Sequence, residues 1–354
     1  MPSTSRSWPK RWRKATVAKP IRPSDTAIAV LGAGSWGTAL AILLSHNQYD
    51  VRLWGHIPEE IERLQQDRQN HQFLPDIPFP ESLRPETDLN KALSGVSEVL
   101  VAVPSHAFSS VVQTIAPLLA PGVGVSWATK GFEPGTQRLL SDVAGDILQR
   151  PELAVISGPT FAGEVARGLP TAVTVASESS AHAERVAAYL HASWFRAYTS
   201  HDITGVQVGG ASKNVLAIAA GIADGLGFGA NTRAALITRG LSEVMRLGQS
   251  LGGKTETFMG LAGLGDLVLT CTDNQSRNRR MGLALARGLT IEQAKVEIGQ
   301  EVEGVQTAYE VSQLARKMDV EMPISEQVYK VLYEGLPPKE AVHSLLDRRQ
   351  RAED

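Results

Sequence analysis

Apolar runs of strand length recur through the first half of the chain and then stop. They fall at residues 26–31, 50–54, 98–103, 123–128, 153–156, 171–176 and 195–199. Runs that are apolar almost throughout suit strands covered on both faces, as in a parallel sheet. Between the first two runs, Ala39, Leu40, Leu43 and Leu44 recur at helical spacing, which predicts a helix joining two strands. From about residue 208 the pattern changes. GGASKNVLAIAAGIADGLGFGANTRAALITRGLSEVMRLGQSLGG is rich in Ala, Gly and Leu at helical spacing, and no strand alternation returns. The pattern therefore predicts an α/β segment over residues 25–208, an all-helical segment over 209–345 and a charged tail over 346–354.

The turn after the first run carries Gly32-Ala33-Gly34-Ser35-Trp36-Gly37. A G-x-G-x-x-G alone is weak, but between a strand and a helix it marks a Rossmann-like dinucleotide-binding domain. Gly32 permits the tight turn, Gly34 lets the backbone approach a pyrophosphate, and Gly37 lets helix and strand close on each other. The helix start offers free N–H groups and partial positive charge to phosphates. Trp36 is either a lid over the cofactor or packing. At the end of the second run, Leu53-Trp54-Gly55-His56 lacks the acid that usually holds a ribose 2′-hydroxyl, which favours NADP, or use of both NADP and NAD, over strict NAD, with His56 near the 2′-phosphate.

Ligands of open α/β sheets bind at the carboxyl ends of the strands. His106, Lys130 and the Gly158–Thr160 turn stand at such ends. Lys130 is placed to meet an anion or polarise a carbonyl, and equally to form a surface salt bridge. Lys213 lies in VGGASKNVLAIAAGIA, an otherwise small and apolar stretch. Burial lowers a lysine pKa toward the range of a general acid and base; the alternative is a lysine whose head snorkels into water. Asn214 beside it and Asp266 after the glycines of GLAGLGDL favour a polar site, with Asp266 pairing Lys213. Ser276-Arg277-Asn278 supplies a hydroxyl, a guanidinium and an amide suited to a phosphate, or else a capped helix start with a solvated basic face of Arg277, Arg279 and Arg280. In Gly299–Thr307, Glu301 and Glu303 could hold ribose hydroxyls or cap a helix.

Composition trims the alternatives. The 354 residues carry 35 Lys+Arg, 37 Asp+Glu and one Cys. That length suits about two domains. The single Cys271 excludes a disulfide framework and points to a reducing compartment, so the cytoplasm is expected. No metal-ligand spacing is present, no apolar run is long enough for stable membrane insertion, and the balanced charge argues against nucleic acid. The charge is uneven, however: seven of the bases and no acid lie in residues 1–24. This arm reads as a disordered solvated extension or as an organelle transit peptide, which leaves plastid import open.

The same residues closely resemble the NAD(P)-dependent glycerol-3-phosphate dehydrogenases of bacterial and plastid type. The likeness spans about residues 27–345, through LGAGSWGTALA, NHQFLPDIPFP, ATKGFEPGT, SGPTFAGEVARGLPTAV, the long run over 209–248 and TFMGLAGLGDLVLTCTDNQSRNRRMG. The resemblance implies reversible hydride transfer between sn-glycerol 3-phosphate and dihydroxyacetone phosphate, supplying glycerol 3-phosphate for phospholipids. It implies Lys213 as proton acceptor and donor, with Lys130 touching cofactor and substrate. It further implies substrate contacts at Gly158, Thr160, Asp266, Ser276, Arg277 and Asn278. Cofactor contacts are implied at Ser35, Trp36, His56, Ala162, Arg277, Glu301 and Glu303. The partners are then small molecules, and a homodimer is compatible with them. Three departures stand out: His56 where many relatives have Arg, Glu301 where an apolar residue is common, and the basic arm. The competing readings are a 3-hydroxyacid or 6-phosphogluconate-type dehydrogenase, and a non-catalytic NADP(H) sensor on the same fold.

Overall fold

The computed structural model describes residues 26–149 and 152–347; the basic arm and residues 348–354 of the tail lie outside it. Among the described residues there are ten strands: β1 (Ala27–Leu31), β2 (Asp50–Trp54), β3 (Gln69–Asn70), β4 (Leu74–Pro78), β5 (Leu83–Glu86), β6 (Glu98–Val101), β7 (Gly124–Trp127), β8 (Leu153–Ser157), β9 (Thr171–Ala176) and β10 (Phe195–Ser200). Eight of them form one sheet in the order β10-β9-β8-β7-β6-β1-β2-β5. The strands from β5 to β8 run parallel, and β9 reverses against β8 while β10 follows β9. The central strands β6 and β7 are buried at every position, because helices cover both faces.

The apolar runs predicted from the sequence correspond to β1, β2 and β6 to β10. Three strands carried no such signal. β5 reads Leu-Arg-Pro-Glu on the sheet edge, where a proline and charges are tolerated because one side needs no ladder partner. β3 and β4 form a small separate antiparallel pair.

Strand order reverses between β1 and β6: the chain leaves β1 for β2 and β5, then returns to pair β6 on the other side. That leaves a crevice beyond the carboxyl ends of these two strands, and the glycine turn borders it. A side chain at Gly32, whose φ is +115°, would press within 2.6 Å of the Ala102 carbonyl oxygen, and one at Gly37 would collide with the Gly32 carbonyl oxygen.

The second half is built on one helix, Ile203–Gly225, buried from Gly205 to Ala223. It passes through residue 208 without a break. Asp202 caps its start, accepting from the Gly205 N–H at 2.8 Å. Helices Ala230–Ser250, Asp266–Thr272, Arg277–Ala286, Glu303–Lys317 and Pro323–Tyr333 surround it. Gly221 and Gly282 face each other's helices so closely that a methyl at either would strike backbone. The helical core also takes in Phe132 and Leu139, which come from the segment after β7.

Candidate active site

Between the sheet's crevice and the helical half lies a cleft of about 730 Å³. Three groups of residues converge on it: the glycine turn, an ionic cluster that joins Lys130 after β7 to Lys213 and Asp266, and the starts of two helices of the second half.

The glycine turn presents Gly34, Ser35 and Trp36. Gly34 precedes helix Ser35–His46, whose N-terminus no side chain caps. A methyl added at Gly34 would meet no protein atom within 4 Å, so this position is free of protein and open to close approach by a ligand. The uncapped N–H groups and the helix dipole suit a pyrophosphate. A dinucleotide therefore fits the turn. Trp36 lines the cleft while packing partly on the core beneath the sheet, so both of its expected roles are compatible. Ala162 lines the cleft as well. His56 does not: it is exposed beyond the end of β2 and outside the cleft lining. His106 is likewise exposed and outside it.

The second group is an ionic cluster. Glycines 260, 263 and 265 frame a π-helical turn, Leu261–Gly265, that delivers Asp266 at the start of helix Asp266–Thr272. Such turns recur at functional sites. Asp266 is 0% exposed. Its Oδ1 accepts from Lys213 Nζ at 2.5 Å and its Oδ2 from Lys130 Nζ at 2.6 Å. Lys130 also donates to the Gly158 carbonyl oxygen at 3.1 Å, which Thr160 Oγ1 shares. Lys213 also donates to Thr270 Oγ1 at 2.9 Å, and Thr270 donates to the Asp266 carbonyl oxygen at 2.6 Å. One carboxylate thus holds two lysines from opposite halves of the molecule. Lys130, Lys213 and Thr160 line the cleft, whereas Asp266 and Gly158 lie behind them.

Lys213 is 7% exposed. Burial pushes its pKa down from 10.5 to about 8; Asp266 opposes that shift and the charge of Lys130 adds to it. Near neutral pH a much larger share of this amine is neutral than for a free lysine. Both protonation states are then within reach of a reaction. The snorkelling alternative does not hold for this lysine.

The third group is the start of helix Arg277–Ala286. Ser276 caps it, accepting from the Arg279 N–H at 3.2 Å, which leaves its hydroxyl proton available. Ser276, Arg277 and Asn278 all line the cleft at this helix N-terminus, so the capped helix start and the group expected to meet a phosphate are one structure. The solvated basic face is absent, for Arg279 is buried and bonded to the Cys271 carbonyl oxygen at 3.1 Å and to Asp224 Oδ2 at 2.5 Å. Asn278 accepts from the Gly304 N–H and donates to Asn214 Oδ1, each at 2.9 Å. Glu303 opens helix Glu303–Lys317, half-buried; burial raises its pKa and Arg277 counters this. Glu301 is exposed on the cleft rim.

Gln300 and Thr270 carried little sequence signal, whereas Asn214 is the polar neighbour that the sequence sets beside Lys213. Gln300 accepts from Ser35 Oγ and from Arg277 Nη1, each at 3.4 Å, joining the two halves across the cleft. Asn214 is buried at the cleft with its Nδ2 lacking a protein partner. Thr270 follows Asp266 by one helical turn, and that spacing was its only available signal. Among the described residues no His, Cys, Asp and Glu group could hold a metal ion, and no helix is long and apolar enough to cross a membrane.

Models of the NAD-dependent glycerol-3-phosphate dehydrogenase N-terminus and C-terminus match residues 27–183 and 202–343. A glycerol-3-phosphate dehydrogenase (NAD(P)+) of Tolumonas auensis is 56% identical over 332 residues, covering 93% of this chain and 99% of its own. Its counterpart in Psychromonas ingrahamii is 57% identical over 331 residues, with the same coverage. The crystal structure of glycerol-3-phosphate dehydrogenase from Coxiella burnetii superposes with a TM-score of 0.90 at 48% identity, covering 92% of this chain and all of that one. Both halves of the fold are thus matched in order and at nearly full length, and the chain belongs to the NAD(P)-dependent glycerol-3-phosphate dehydrogenases.

Proposed function

We propose that the cleft interconverts sn-glycerol 3-phosphate and dihydroxyacetone phosphate, and that in the cell it supplies glycerol 3-phosphate for phospholipid synthesis. The observation that carries this reading is the pair of lysines on Asp266 beside a serine, an arginine and an asparagine that line the cleft together at a helix N-terminus. It puts proton chemistry next to a phosphate site.

Gly34, Ser35 and Trp36 would hold the nicotinamide dinucleotide by its pyrophosphate end, and the bound cofactor would supply the hydride chemistry. Ser276, Arg277 and Asn278 take the substrate phosphate, with Arg277 giving charge-assisted bonds. Lys213 then exchanges the proton of the C2 oxygen, as base in oxidation and acid in reduction. Asp266 fixes the Lys213 ammonium, and Lys130 adds positive charge where negative charge gathers on that oxygen. Thr160 and the Asn214 amide offer further donors. Ala162, Glu301, Glu303 and Arg277 border the cofactor in this reading. The preference for NADP rests on the absence of an acid at the end of β2; His56 reaches a 2′-phosphate only from outside the cleft lining. Assembly as a homodimer is compatible with this reading.

Reduction of dihydroxyacetone phosphate by the full-length protein with NADPH and with NADH tests both points. The expected result is turnover with both, higher kcat/KM with NADPH, and loss of turnover in Lys213→Ala with cofactor binding retained. A Lys213→Ala variant with near-normal turnover would sink the assignment.

A further inference from the structure

Glu310 lies on helix Glu303–Lys317, is 1% exposed and does not border the cleft. Its carboxylate accepts three hydrogen bonds: from the Gly135 N–H at 3.2 Å, from Gln137 Nε2 at 2.8 Å and from Gln306 Nε2 at 2.6 Å. Gln306 is on the same helix. The other two donors belong to the loop that starts immediately after Lys130, on the other half of the molecule. A buried carboxylate with several donors is costly to leave unpaired, so this contact is a firm one.

The loop behaves as a unit. The Glu133 N–H donates to the Arg138 carbonyl oxygen and the Gln137 N–H to the Glu133 carbonyl oxygen, each at 3.0 Å, which closes it internally. Phe132, two residues after Lys130, is buried in the helical core. The next helix start is fastened too: the Ser141 N–H donates to Gln207 Oε1 at 3.0 Å, and Gln207 Nε2 donates to Ser141 Oγ at 2.9 Å. The segment leaves the sheet at β7 and is held by the helical half at Phe132, Gly135, Gln137 and Ser141, and by the sheet half at Glu133, which accepts from Ser109 Oγ at 2.7 Å; the helical half also holds the Lys130 ammonium through Asp266.

We infer that Glu310 is a positioning residue for Lys130: it ties the closed loop to the helical half and so sets how closely the Lys130 ammonium sits beside the Asp266–Lys213 pair. The inference rests on the reading of these three groups as the proton machinery.

The readout is the protonation of Lys213. The charged and titratable groups around it are Asp266 and Cys271 on helix Asp266–Thr272, Lys130 from the loop after β7, and Glu303 on helix Glu303–Lys317. Arg279 stands behind Cys271 and Arg277 faces Glu303. Releasing the loop lets Lys130 retreat, which removes a like charge and leaves Asp266 to Lys213; both effects raise the Lys213 pKa. Displacement of Glu303 by a disturbed helix would lower it instead, so the sign separates the two causes.

The experiment uses full-length enzyme with Glu310→Gln, Gln137→Ala and, as comparator, Glu243→Gln. Glu243 is another buried carboxylate, which accepts from the Ile324 and Ser325 N–H groups and does not touch the Lys130 loop. For each variant, kcat, KM, thermal midpoint and the pH profile of kcat/KM for glycerol 3-phosphate oxidation are measured. Glu310→Gln should lower kcat about 10- to 100-fold, as a slight misplacement of a reacting group does, with a smaller change in KM. It should move the rising limb of the profile up by as much as about 1 unit. Gln137→Ala should move it the same way by less, and it decides the matter if Glu310→Gln fails to fold. A limb at the wild-type position in the folded variants, with losses no greater than the thermal midpoint explains in Glu243→Gln, overturns the inference. If wild type shows no limb that Lys213→Ala abolishes, the underlying reading of the lysines has failed instead.

Discussion

Asp266→Asn is the substitution that tests the electrostatics of the site most directly. On the proposed mechanism the oxidation of glycerol 3-phosphate needs neutral Lys213, so kcat/KM should rise with pH through the lysine's pKa of about 8. The second ionisation of the substrate phosphate falls near pH 6 and is separable from that limb. Asp266 supports the charged form of Lys213, whereas burial and Lys130 oppose it. An opposite charge at contact distance shifts a pKa by about 1–3 units, so Asp266→Asn should drop the limb by that amount. Loss of orientation at the 2.5 Å contact should also cut the plateau rate by about 10²–10⁴-fold, the range of general acid–base catalysis. Lys130→Met removes a like charge and should move the limb the other way, upward. The assay is the initial rate of NADPH formation from about pH 5 to strongly alkaline pH, which spans the limb in wild type and in both variants. Two variants with opposite shifts leave little room: a limb that stays put in Asp266→Asn, or moves the same way in both, refutes the proposed cluster.

The remaining predictions address phosphate, cofactor and fold. Arg277→Ala should raise KM for dihydroxyacetone phosphate about 10- to 100-fold, the loss of a charge-assisted bond, and an unchanged KM would remove it from the phosphate site. Gly34→Ala meets no protein atom, so its thermal midpoint should match wild type while cofactor Kd rises at least about tenfold; unaltered cofactor binding would contradict the placement of the pyrophosphate. Glu98 is buried with His182 Nε2 3.6 Å from its carboxyl and Ser126 beside it, and desolvation outweighs these neighbours and lifts its pKa from 4.5 to about 8. The folded state therefore holds the proton longer than the unfolded state, and stability falls as pH rises from 4.5 toward 8, by about 5 kcal/mol at most. Glu98→Gln should accordingly melt like wild type near pH 4.5 and increasingly above it as pH approaches 8; a gap that does not widen with pH refutes this.

The sequence made most of the architecture readable, and the failures have physical causes. Strands β1, β6, β7 and β8 announce themselves because burial on both faces demands continuous apolar runs. Edge strand β5 does not, since an edge position lets Pro85 and charged neighbours stand where a central strand would exclude them. The reversal of β9 against β8 leaves no local mark, because side-chain alternation is the same in both directions. The glycine turn was legible down to single positions: Gly32 and Gly37 are confined by the Ala102 and Gly32 carbonyls, and Gly34 opens on the cleft.

The candidate site divides along the same line. Where chemistry lies on one element, as in Ser276-Arg277-Asn278, spacing was enough to nominate it, and the competing reading of a helix cap was a second description of the same turn. Where chemistry is assembled from distant segments, spacing could nominate residues without joining them. Asp266 and Lys213 are 53 positions apart and Asp266 and Lys130 are 136; no local pattern says that one carboxylate serves both. Glu310 is the extreme case. It sits 175 positions from Gly135, reads as an ordinary polar residue on an amphipathic helix, and gains its meaning only from a loop on the other half of the molecule. The cluster holds Lys130 from in front through Asp266 and from behind through the loop that Glu310 secures. Such double support is what a preorganised ammonium requires, since charge stabilisation is greatest where the group need not move during the reaction.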